Sequence, residues 1–239
     1  MTRLTNEQLL RGEKQFGANC VAFFPCNEGS GTTITDIMSG LVIADAGGTW
    51  ADAHAFKLLV SDYDNSANYN LLDVANKHLL FVHSFKVFTS SAFGIFAIGN
   101  ITGNNDRVYT MSGGSGFTVN DDSGPETAAA FGTPGTGDYL LAGTWNPVTG
   151  DVSSYEGVDG AAPALVNSST ANAARLALDG VIGNLEMTVN TVADQATYGI
   201  AIYAFEDGIP SDMLSALAHF SKNWRKGRKE TWSAWKNVA

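Results

Sequence analysis

Residues 78–88 have the sequence HLLFVHSFKVF, the longest strand-like run in the chain. Leu, Phe and Val dominate it, and residues of this kind favour a pleated, partly buried strand. Nine further segments are short, rich in hydrophobic and aromatic residues, and separated by clusters of Gly, Asn, Asp and Ser. They span residues 20–24, 56–60, 93–98, 107–111, 139–145, 152–155, 174–178, 185–189 and 198–205. Many short strands joined by polar turns predict an all-β protein.

The composition favours one β-domain over a helical bundle. Only 16% of the 239 residues are charged, whereas 44% are hydrophobic and 26 are glycine. A chain of this length can bury one full core, and no linker or internal repeat divides the sequence. We therefore predict an N-terminal arm at residues 1–17, a two-sheet antiparallel sandwich at 18–210 and a C-terminal extension at 211–239.

The two ends of the chain carry helical patterns. Residues 6–16 form a weak amphipathic pattern, which predicts a short N-terminal helix. The C-terminal pattern is stronger, since Ser211 suits a helix N-cap and Gly227 suits a C-terminal stop. Apolar residues recur between them at helical spacing: Met213, Leu214, Leu217, Phe220 and Trp224. We expect this helix and the basic, aromatic tail after it to pack on the sandwich or on a partner.

Charge and hydropathy exclude two classes of partner. The net charge is −10, and residues 222–239 hold six of the 14 basic residues and one acid, so the rest of the chain carries −15. An acidic body repels phosphates, which argues against nucleic-acid binding. No apolar run reaches the length of about 20 residues that a membrane-spanning helix needs. The opening sequence MTRLTNEQLL also lacks the apolar segment of a signal peptide.

The two cysteines, Cys20 and Cys26, lie on one strand-like segment, CVAFFPC. In an extended chain their Cα atoms would stand about 20 Å apart, which is too far for a disulfide. We therefore predict two buried, structural thiols. Free thiols also favour synthesis in a reducing compartment.

Residues 112–138, SGGSGFTVNDDSGPETAAAFGTPGTGD, are the most turn-rich part of the sequence. Gly, Ser, Asp and Pro at this density predict a long surface loop or a hairpin. We expect this segment to face outward.

Three motifs then follow one another in a familiar order. Residues 21–36, VAFFPCNEGSGTTITD, place an acid-Gly-Ser-Gly-Thr turn between a strand and a Thr-rich strand ending in Asp. Residues 139–160, YLLAGTWNPVTGDVSSYEGVDG, combine a hydrophobic strand, a short turn and a return through Tyr to Asp-Gly. Residues 198–217, YGIAIYAFEDGIPSDMLSAL, join a closing strand to a short helix. Together they resemble concanavalin A-like and laminin-G-like jelly-roll domains, and the resemblance implies a two-sheet jelly-roll sandwich.

The relatives of such domains include lectins, glycan hydrolases, adhesion modules and bacteriophage virion proteins. The fold alone therefore does not decide the function, and each option is tested on the residues present. Hydrolysis of a glycan needs two carboxylates on one face of a strand, and no strand here offers Glu-x-Asp-x-x-Glu. Glu186 stands alone in LEMTV, and Glu206 and Asp207 fall in a predicted turn. The sequence therefore predicts a protein that is not an enzyme.

One segment has the spacing of a calcium loop. The sequence SDYDNSANYNLLD places oxygen-bearing residues at positions 1, 3, 5, 7, 9 and 12 of a twelve-residue run: Asp62, Asp64, Ser66, Asn68, Asn70 and Asp73. Position 6 is Ala67 where such a loop needs glycine, and position 12 is Asp instead of Glu. A polar turn before a strand is the alternative. Calcium is therefore the one candidate cofactor, held by Asp62, Asp64, Asn68, Asn70 and Asp73.

Three tryptophans are candidates for binding a sugar or a protein partner, because sugars stack on exposed aromatic rings. Trp50 lies in the predicted turn GGTWAD, and Trp232 and Trp235 lie in the C-terminal tail. Packing onto the sandwich is the alternative for each. Trp145 ends a predicted strand and is expected in the core.

The leading functional hypothesis is a non-enzymatic structural or adhesion protein of a phage virion, made in the host cytoplasm. It would act as a homo-oligomer with other virion proteins, as a capsid decoration or as a tail or fibre component. A glycan-binding lectin module for host-surface recognition is the alternative, and a glycan hydrolase with an unrecognised site is the third reading.

Overall fold

A computed structural model describes the parts of the chain that form the strands and their nearest connections. These are residues 19–24, 26, 28–36, 40, 42–44, 48–52, 55–57, 77–88, 94–99, 107–111, 117–120, 127–129, 131, 135–159, 161, 163–170, 185–189 and 195–211. Within these ranges the chain is all-β and contains no helix. No helix long and apolar enough to cross a membrane occurs in the described part of the chain.

Fifteen strands are described, and every pairing between them is antiparallel. In chain order they are β1 Cys20–Phe24, β2 Thr33–Thr35, β3 Val42–Ala44, β4 Thr49–Asp52, β5 Ala55–Lys57, β6 His78–Val87, β7 Gly94–Gly99, β8 Arg107–Met111, β9 Phe117–Asn120, β10 Thr127–Ala129, β11 Gly137–Trp145, β12 Asp151–Val158, β13 Ala164–Thr170, β14 Leu185–Val189 and β15 Gln195–Phe205.

The strands form a large sheet, a small sheet and a two-stranded ribbon. The large sheet has eight strands in the order β13-β12-β11-β6-β15-β5-β4, and β1 also pairs with β15. The small sheet has five strands in the order β10-β9-β8-β7-β14, and β2 and β3 form the ribbon. The long strands β6, β11 and β15 therefore lie side by side at the centre of the large sheet, although they are far apart in sequence.

The centre of the large sheet is buried on both faces because its central strands carry apolar residues at alternate and at adjacent positions. On β6, Leu79, Phe81 and Phe85 belong to one cluster, while Leu80 and Val82 belong to another. The first cluster, the inter-sheet core, also contains Phe117 of the small sheet and Ile34 of the ribbon. The second cluster covers what we call the outer face, formed by Leu80, Val82, Leu140, Ala142, Ala201, Tyr203 and Phe205.

Among the described residues, Phe117 of the small sheet packs directly against the large sheet. Its ring lies 5.3 Å from the ring of Phe81 between centroids, and its side chain is fully buried. A Cβ atom at Gly143 of β11 would overlap the same ring, so only glycine leaves room for it. The strand β11 therefore has a glycine at the point where the small sheet approaches the large one.

This packing corrects one expectation and confirms another. Residues 117–120 and 127–129 are strands paired with each other, so of the two predicted alternatives, a long loop or a hairpin, the structure has the hairpin. The expectation that the segment faces outward is wrong for Phe117 and Phe131, which are buried in the inter-sheet core. Removing two aromatic side chains from water is favourable, and this outweighs the turn-rich composition of the segment.

The hairpin of residues 137–159 has the arrangement that the sequence motif predicts. β11 and β12 pair from Tyr139 with Val158 to Trp145 with Val152. At the turn, the Asn146 side-chain oxygen accepts hydrogen bonds from the backbone N–H groups of Val148 and Thr149 at 2.9 and 3.3 Å. Trp145 is buried in the inter-sheet core, as its place at the strand end predicts.

Several predictions fall outside the described residues. The N-terminal helix at 6–16, the strand at 174–178 and the C-terminal helix after Ser211 cannot be compared with the structure, and the same holds for the domain bounds at 17 and 211. Of the remaining strand predictions, 20–24, 107–111 and 185–189 coincide with β1, β8 and β14. The strand β13 was not predicted, because its sequence ALVNSST lacks an alternating pattern. In the structure it is exposed at most positions.

Candidate functional site

Two acidic residues hold the region of β1 and β2: Glu28 in the Gly-rich turn between them, and Asp36 directly after β2. Glu28 Oε1 accepts a hydrogen bond from the backbone N–H of Thr35 at 2.6 Å. Asp36 Oδ1 accepts one from the backbone N–H of Phe23 at 2.8 Å, and Asp36 is fully buried. Gly29 and Gly31 have φ angles of 69° and 83°, in the left-handed region that favours glycine. The acid of the acid-Gly-Ser-Gly-Thr motif therefore has a structural role, since Glu28 ties the turn to β2, while Asp36 ties the end of β2 to β1.

Both cysteines lie beside these acids, and both are unreactive. Cys20 and Cys26 are free and buried, which confirms the prediction of structural thiols. Burial raises the pKa of the Cys20 thiol to about 12, with a contribution from the nearby charge of Asp36. Burial, assisted by the charge of Glu28, raises the pKa of Cys26 well above its usual range. Since the thiolate is the reactive form, neither residue is a nucleophile at neutral pH.

Trp50 lies on β4 at the edge of the large sheet, and not in a turn. Its ring packs against Phe56 on the neighbouring strand, with the ring centroids 4.9 Å apart and tilted by 58°. The indole N–H donates a hydrogen bond to the carbonyl of Gly31 at 2.9 Å. The side chain is half-buried against the inter-sheet core. Trp50 therefore joins the Gly-rich turn to the sheet edge and still presents part of its ring to solvent.

The other predicted site residues are not described by the structure. Trp232 and Trp235 lie in the C-terminal tail, and the proposed calcium ligands Asp62, Asp64, Asn68, Asn70 and Asp73 lie between β5 and β6, outside the described ranges. Among the described residues, no three His, Cys, Asp or Glu side chains gather as they would around a metal ion.

A cluster of basic and aromatic side chains lies at one end of the large sheet. The Nζ atoms of Lys57 on β5 and Lys86 on β6 lie 4.5 and 5.2 Å from the ring centroid of Phe88. Phe88 is half-buried and packs on Ala196 and Tyr198 of β15. Both ammonium groups are thus within the range of a cation–π contact with one ring. We call these three residues, Lys57, Lys86 and Phe88, the lysine–phenylalanine cluster.

An acid borders this cluster. Lys86 of β6 lies between two cross-strand partners, Asp138 of β11 on one side and Ala196 of β15 on the other. The hydroxyl of Tyr198 donates a hydrogen bond to Asp138 Oδ1 at 2.8 Å. The surface therefore combines an aromatic ring, two cations and a carboxylate across four neighbouring strands, β11, β6, β15 and β5. Sequence reasoning missed it, because its members are brought together only by the pairing of β5, β6, β11 and β15.

Among the described residues, His83 is a buried histidine, and its contacts are with other parts of the fold. His83 Nε2 lies 3.2 Å from the hydroxyl of Thr197, and its ring centroid lies 4.7 Å from that of Phe85. Burial lowers the pKa of His83 to about 3, so the imidazole is neutral at physiological pH. A neutral, enclosed imidazole stabilises the fold and does not face a substrate.

Comparison with known proteins shows that the fold of this chain is similar to that of several solved structures. The sequence matches no protein-family model and no curated protein. The binding domain of botulinum neurotoxin serotype C1 is similar over 87% of this chain, with a TM-score of 0.59 and 13% identity. The binding domain of botulinum neurotoxin DC, solved in complex with SialylT, is similar over 86%, with a TM-score of 0.56 and 12% identity. A sialidase from Trypanosoma rangeli is similar over 89%, with a TM-score of 0.54 and 11% identity.

The likeness covers only part of each of these proteins. The chain spans 52% of each toxin binding domain and 33% of the sialidase. At identities of 11 to 13%, the similarity shows a shared fold and nothing about conserved residues.

Proposed function

We propose that this chain is a non-enzymatic, carbohydrate-binding domain with a lectin-like jelly-roll sandwich, which attaches to glycans on a host-cell surface. The large and small sheets, joined through Phe117, would be the two layers of that sandwich. The observation that carries the proposal is the fold shared with toxin binding domains. One of these is described in complex with SialylT, and another in work on cell entry through two ganglioside molecules.

The described acidic residues of the Gly-rich turn support a binding role over a catalytic one. Glu28 and Asp36 accept hydrogen bonds from backbone N–H groups, and Asp36 is fully buried. A glycosidase needs two carboxylates placed on either side of the scissile bond, and these two are instead engaged in holding a turn. Trp50 supplies a half-exposed aromatic ring near the same turn, on which a sugar ring can stack.

The proposal is tested by titrating glycans into two variants of Trp50. Trp50→Leu removes the aromatic ring, and we expect glycan affinity to fall by about tenfold, which corresponds to 1.4 kcal/mol. Trp50→Phe is the matched control. It keeps an aromatic ring for stacking, although a smaller one, and it loses the hydrogen bond from the indole N–H to the Gly31 carbonyl. Equal glycan affinity in both variants and the unmodified protein would remove Trp50 from the binding site.

We also propose, as the sequence suggests, that the protein belongs to a phage virion. The buried, free thiols of Cys20 and Cys26 support synthesis in a reducing compartment such as a host cytoplasm. The expected test is assembly: deleting residues 1–17 or 222–239 should abolish a homo-oligomer, measured by light scattering, while the domain stays folded. If both shortened proteins assemble normally, the termini do not attach the subunits.

Calcium binding at residues 62–73 is tested separately. If Asp62, Asp64, Asn68, Asn70 and Asp73 hold the ion, calcium should raise the melting temperature of the protein, and Asp62→Asn should reduce that rise. An unchanged melting temperature in millimolar calcium would contradict the site.

A further inference from the structure

The strand β13 is an open edge of the large sheet. It lies at the end of the strand order and pairs with β12. Within the described part of the chain, no other strand is hydrogen-bonded to it, so the backbone N–H and C=O groups on its outer side face away from the sheet. Its seven residues form an edge about 23 Å long, at about 3.3 Å per residue. Such an edge is a template on which another strand can pair.

The small sheet leaves this edge open. β9 lies against β11 and β12, and β10 lies against β12 and β13, so the small sheet stacks on the face of the large sheet and does not extend its edge. Ser168 N–H donates a hydrogen bond to Oδ1 of its neighbour Asn167 at 2.8 Å, and this bond is exposed. It can be exchanged for a bond to another strand with little loss, because water already competes for it.

The side chains of β13 are exposed at six of its seven positions. They include two large apolar residues, Leu165 at 56% and Val166 at 45% exposure. Tyr155 of β12 pairs with Leu165 and Ser154 pairs with Asn167, so Val166 is the extra residue of a β-bulge. Two neighbouring apolar side chains therefore stand in solvent at the edge of the sheet.

The absence of charge on β13 favours a second copy of this chain as the partner. The sequence ALVNSST contains no charged residue, although the chain as a whole carries −10. Open edges are commonly guarded by a lysine or another charge. In a strand that pairs with its own copy, such a charge would lie close to its equivalent, and like charges on facing strands are destabilising. A partner selected by charge would find no opposite charge on this strand.

The apolar residues fit a two-fold contact. Two copies of one strand pair antiparallel about a two-fold axis, the commonest symmetry of protein oligomers. With the axis at or beside Val166, the side chains of Leu165 and Val166 from both copies meet, so four apolar side chains leave water. The two large sheets would then continue into each other and close both β13 edges. Pairing of β13 with β4, the opposite edge of the sheet, would instead leave an open edge at every step and build a filament.

We propose that β13 is the surface on which two copies of this chain pair, edge to edge and antiparallel. This inference rests on the homo-oligomer of the proposed function and names the surface at which its domains meet. The terminal segments attach the subunits, and β13 fixes the contact between the sandwiches.

The first test places charge on the edge. Sedimentation equilibrium of the full chain measures its mass and its dissociation constant. In the double variant Leu165→Lys/Val166→Lys four like charges would meet at the axis, and we expect the dissociation constant to rise by at least about tenfold. Val42→Lys/Val148→Lys is the matched control, since it replaces two other exposed apolar residues and adds the same charge away from β13. Its dissociation constant should stay unchanged, and melting curves establish that both variants are folded.

The second test locates the axis by disulfide formation. A disulfide needs two Cα atoms within about 7 Å of each other. We expect at least one of the variants Leu165→Cys, Val166→Cys and Asn167→Cys to form a disulfide-linked dimer under mild oxidation. Val148→Cys, at the turn between β11 and β12, is the control and should stay unlinked. Cys20 and Cys26 are buried and do not compete.

The outcomes separate this inference from the proposed homo-oligomer. If the chain forms an oligomer that both lysine variants leave equally stable, and no cysteine on β13 is linked, the β13 contact is wrong while the homo-oligomer stands. If the folded, unmodified chain is a monomer at every concentration and no cysteine is linked, both proposals fail. A mass that grows without limit, with no link between identical cysteines, would show head-to-tail pairing and overturn the two-fold contact.

Discussion

Gly143 of β11 and Phe117 of β9 make a close contact between the large and the small sheet. Gly143 lies in the middle of β11, where glycine costs conformational entropy and contributes no packing of its own. The structure retains it because the ring of Phe117 occupies the space that a Cβ would take. The sequence GTW at 143–145 gives no hint of this, since the partner residue lies in a turn-rich segment.

Gly143→Ala tests that contact. We expect it to reduce the free energy of unfolding by at least about 2 kcal/mol, because overpacking a filled core forces the ring to move. Gly135→Ala is the control, since its Cβ would meet its nearest neighbour, the Tyr139 hydroxyl, only at 3.9 Å. Urea unfolding measures both. Combining Gly143→Ala with Phe117→Leu should recover part of the loss, and no recovery would contradict the assigned contact.

His83 predicts the response of the protein to acid. Its folded pKa of about 3 lies below the ordinary value of 6.5, so the unfolded chain binds the proton first as pH falls. Stability should therefore be complete above pH 6.5 and decrease between 6.5 and about 3, by about 2 to 3 kcal/mol at pH 4.5. His83→Gln removes this titration and should flatten the stability profile relative to the unmodified protein. An identical acid sensitivity of His83→Gln would show that other groups cause it.

At the scale of the strands, sequence reasoning succeeded where a strand is apolar and bounded by turn residues. β1, β8 and β14 coincide with predicted segments, and β6, β11 and β15 overlap them closely. It left a loop and a hairpin open for β9 and β10, and it missed β13, an edge strand whose side chains are mostly exposed. Pairing with neighbouring strands, and not local propensity, holds these strands in place.

Asp36 joins the end of β2 to β1. Its carboxylate accepts the hydrogen bond of the Phe23 N–H at 2.8 Å in a fully buried position. Asp36→Ala should lower the free energy of unfolding by about 2 kcal/mol, because a buried donor loses a charged acceptor. Asp36→Asn keeps an acceptor oxygen and should cost less. Equal losses in the two variants, measured by urea unfolding, would contradict this role.

The lysine–phenylalanine cluster belongs to the same scale, and its absence from the sequence analysis has a structural cause. Lys57 and Lys86 are 29 positions apart in the sequence, and Tyr198 is more than a hundred positions further along. Only the register of β5, β6 and β15 places them together. The one predicted binding residue within the described chain, Trp50, was found because a lone tryptophan beside glycines is conspicuous; its hydrogen bond to Gly31 was not foreseeable.

At the scale of the whole molecule, the outer face of the large sheet requires a cover. Leu80, Val82 and Leu140 are almost completely buried on this face, while Phe117 brings the small sheet to the opposite face. Among the described residues outside the strands, Ile209 packs against it. The amphipathic pattern that starts directly after Ile209 supplies an apolar surface of the right kind, and we expect it to lie there.

Shortening the chain tests this expectation. A protein that ends at Ser211 should expose the outer face, bind the dye ANS and melt at a lower temperature, because large apolar side chains lose their cover. A protein that ends at Gly227 keeps the predicted helix and serves as the control, which should melt like the full chain. Unchanged melting of the shorter protein would mean that other residues cover the outer face.

The central claim, that the chain binds glycans, is tested most directly by a glycan array probed with the full-length protein. We predict saturable binding to a defined group of glycans, and weaker binding of the same group by the Trp50→Leu protein. A folded protein that binds no glycan on the array would contradict the account.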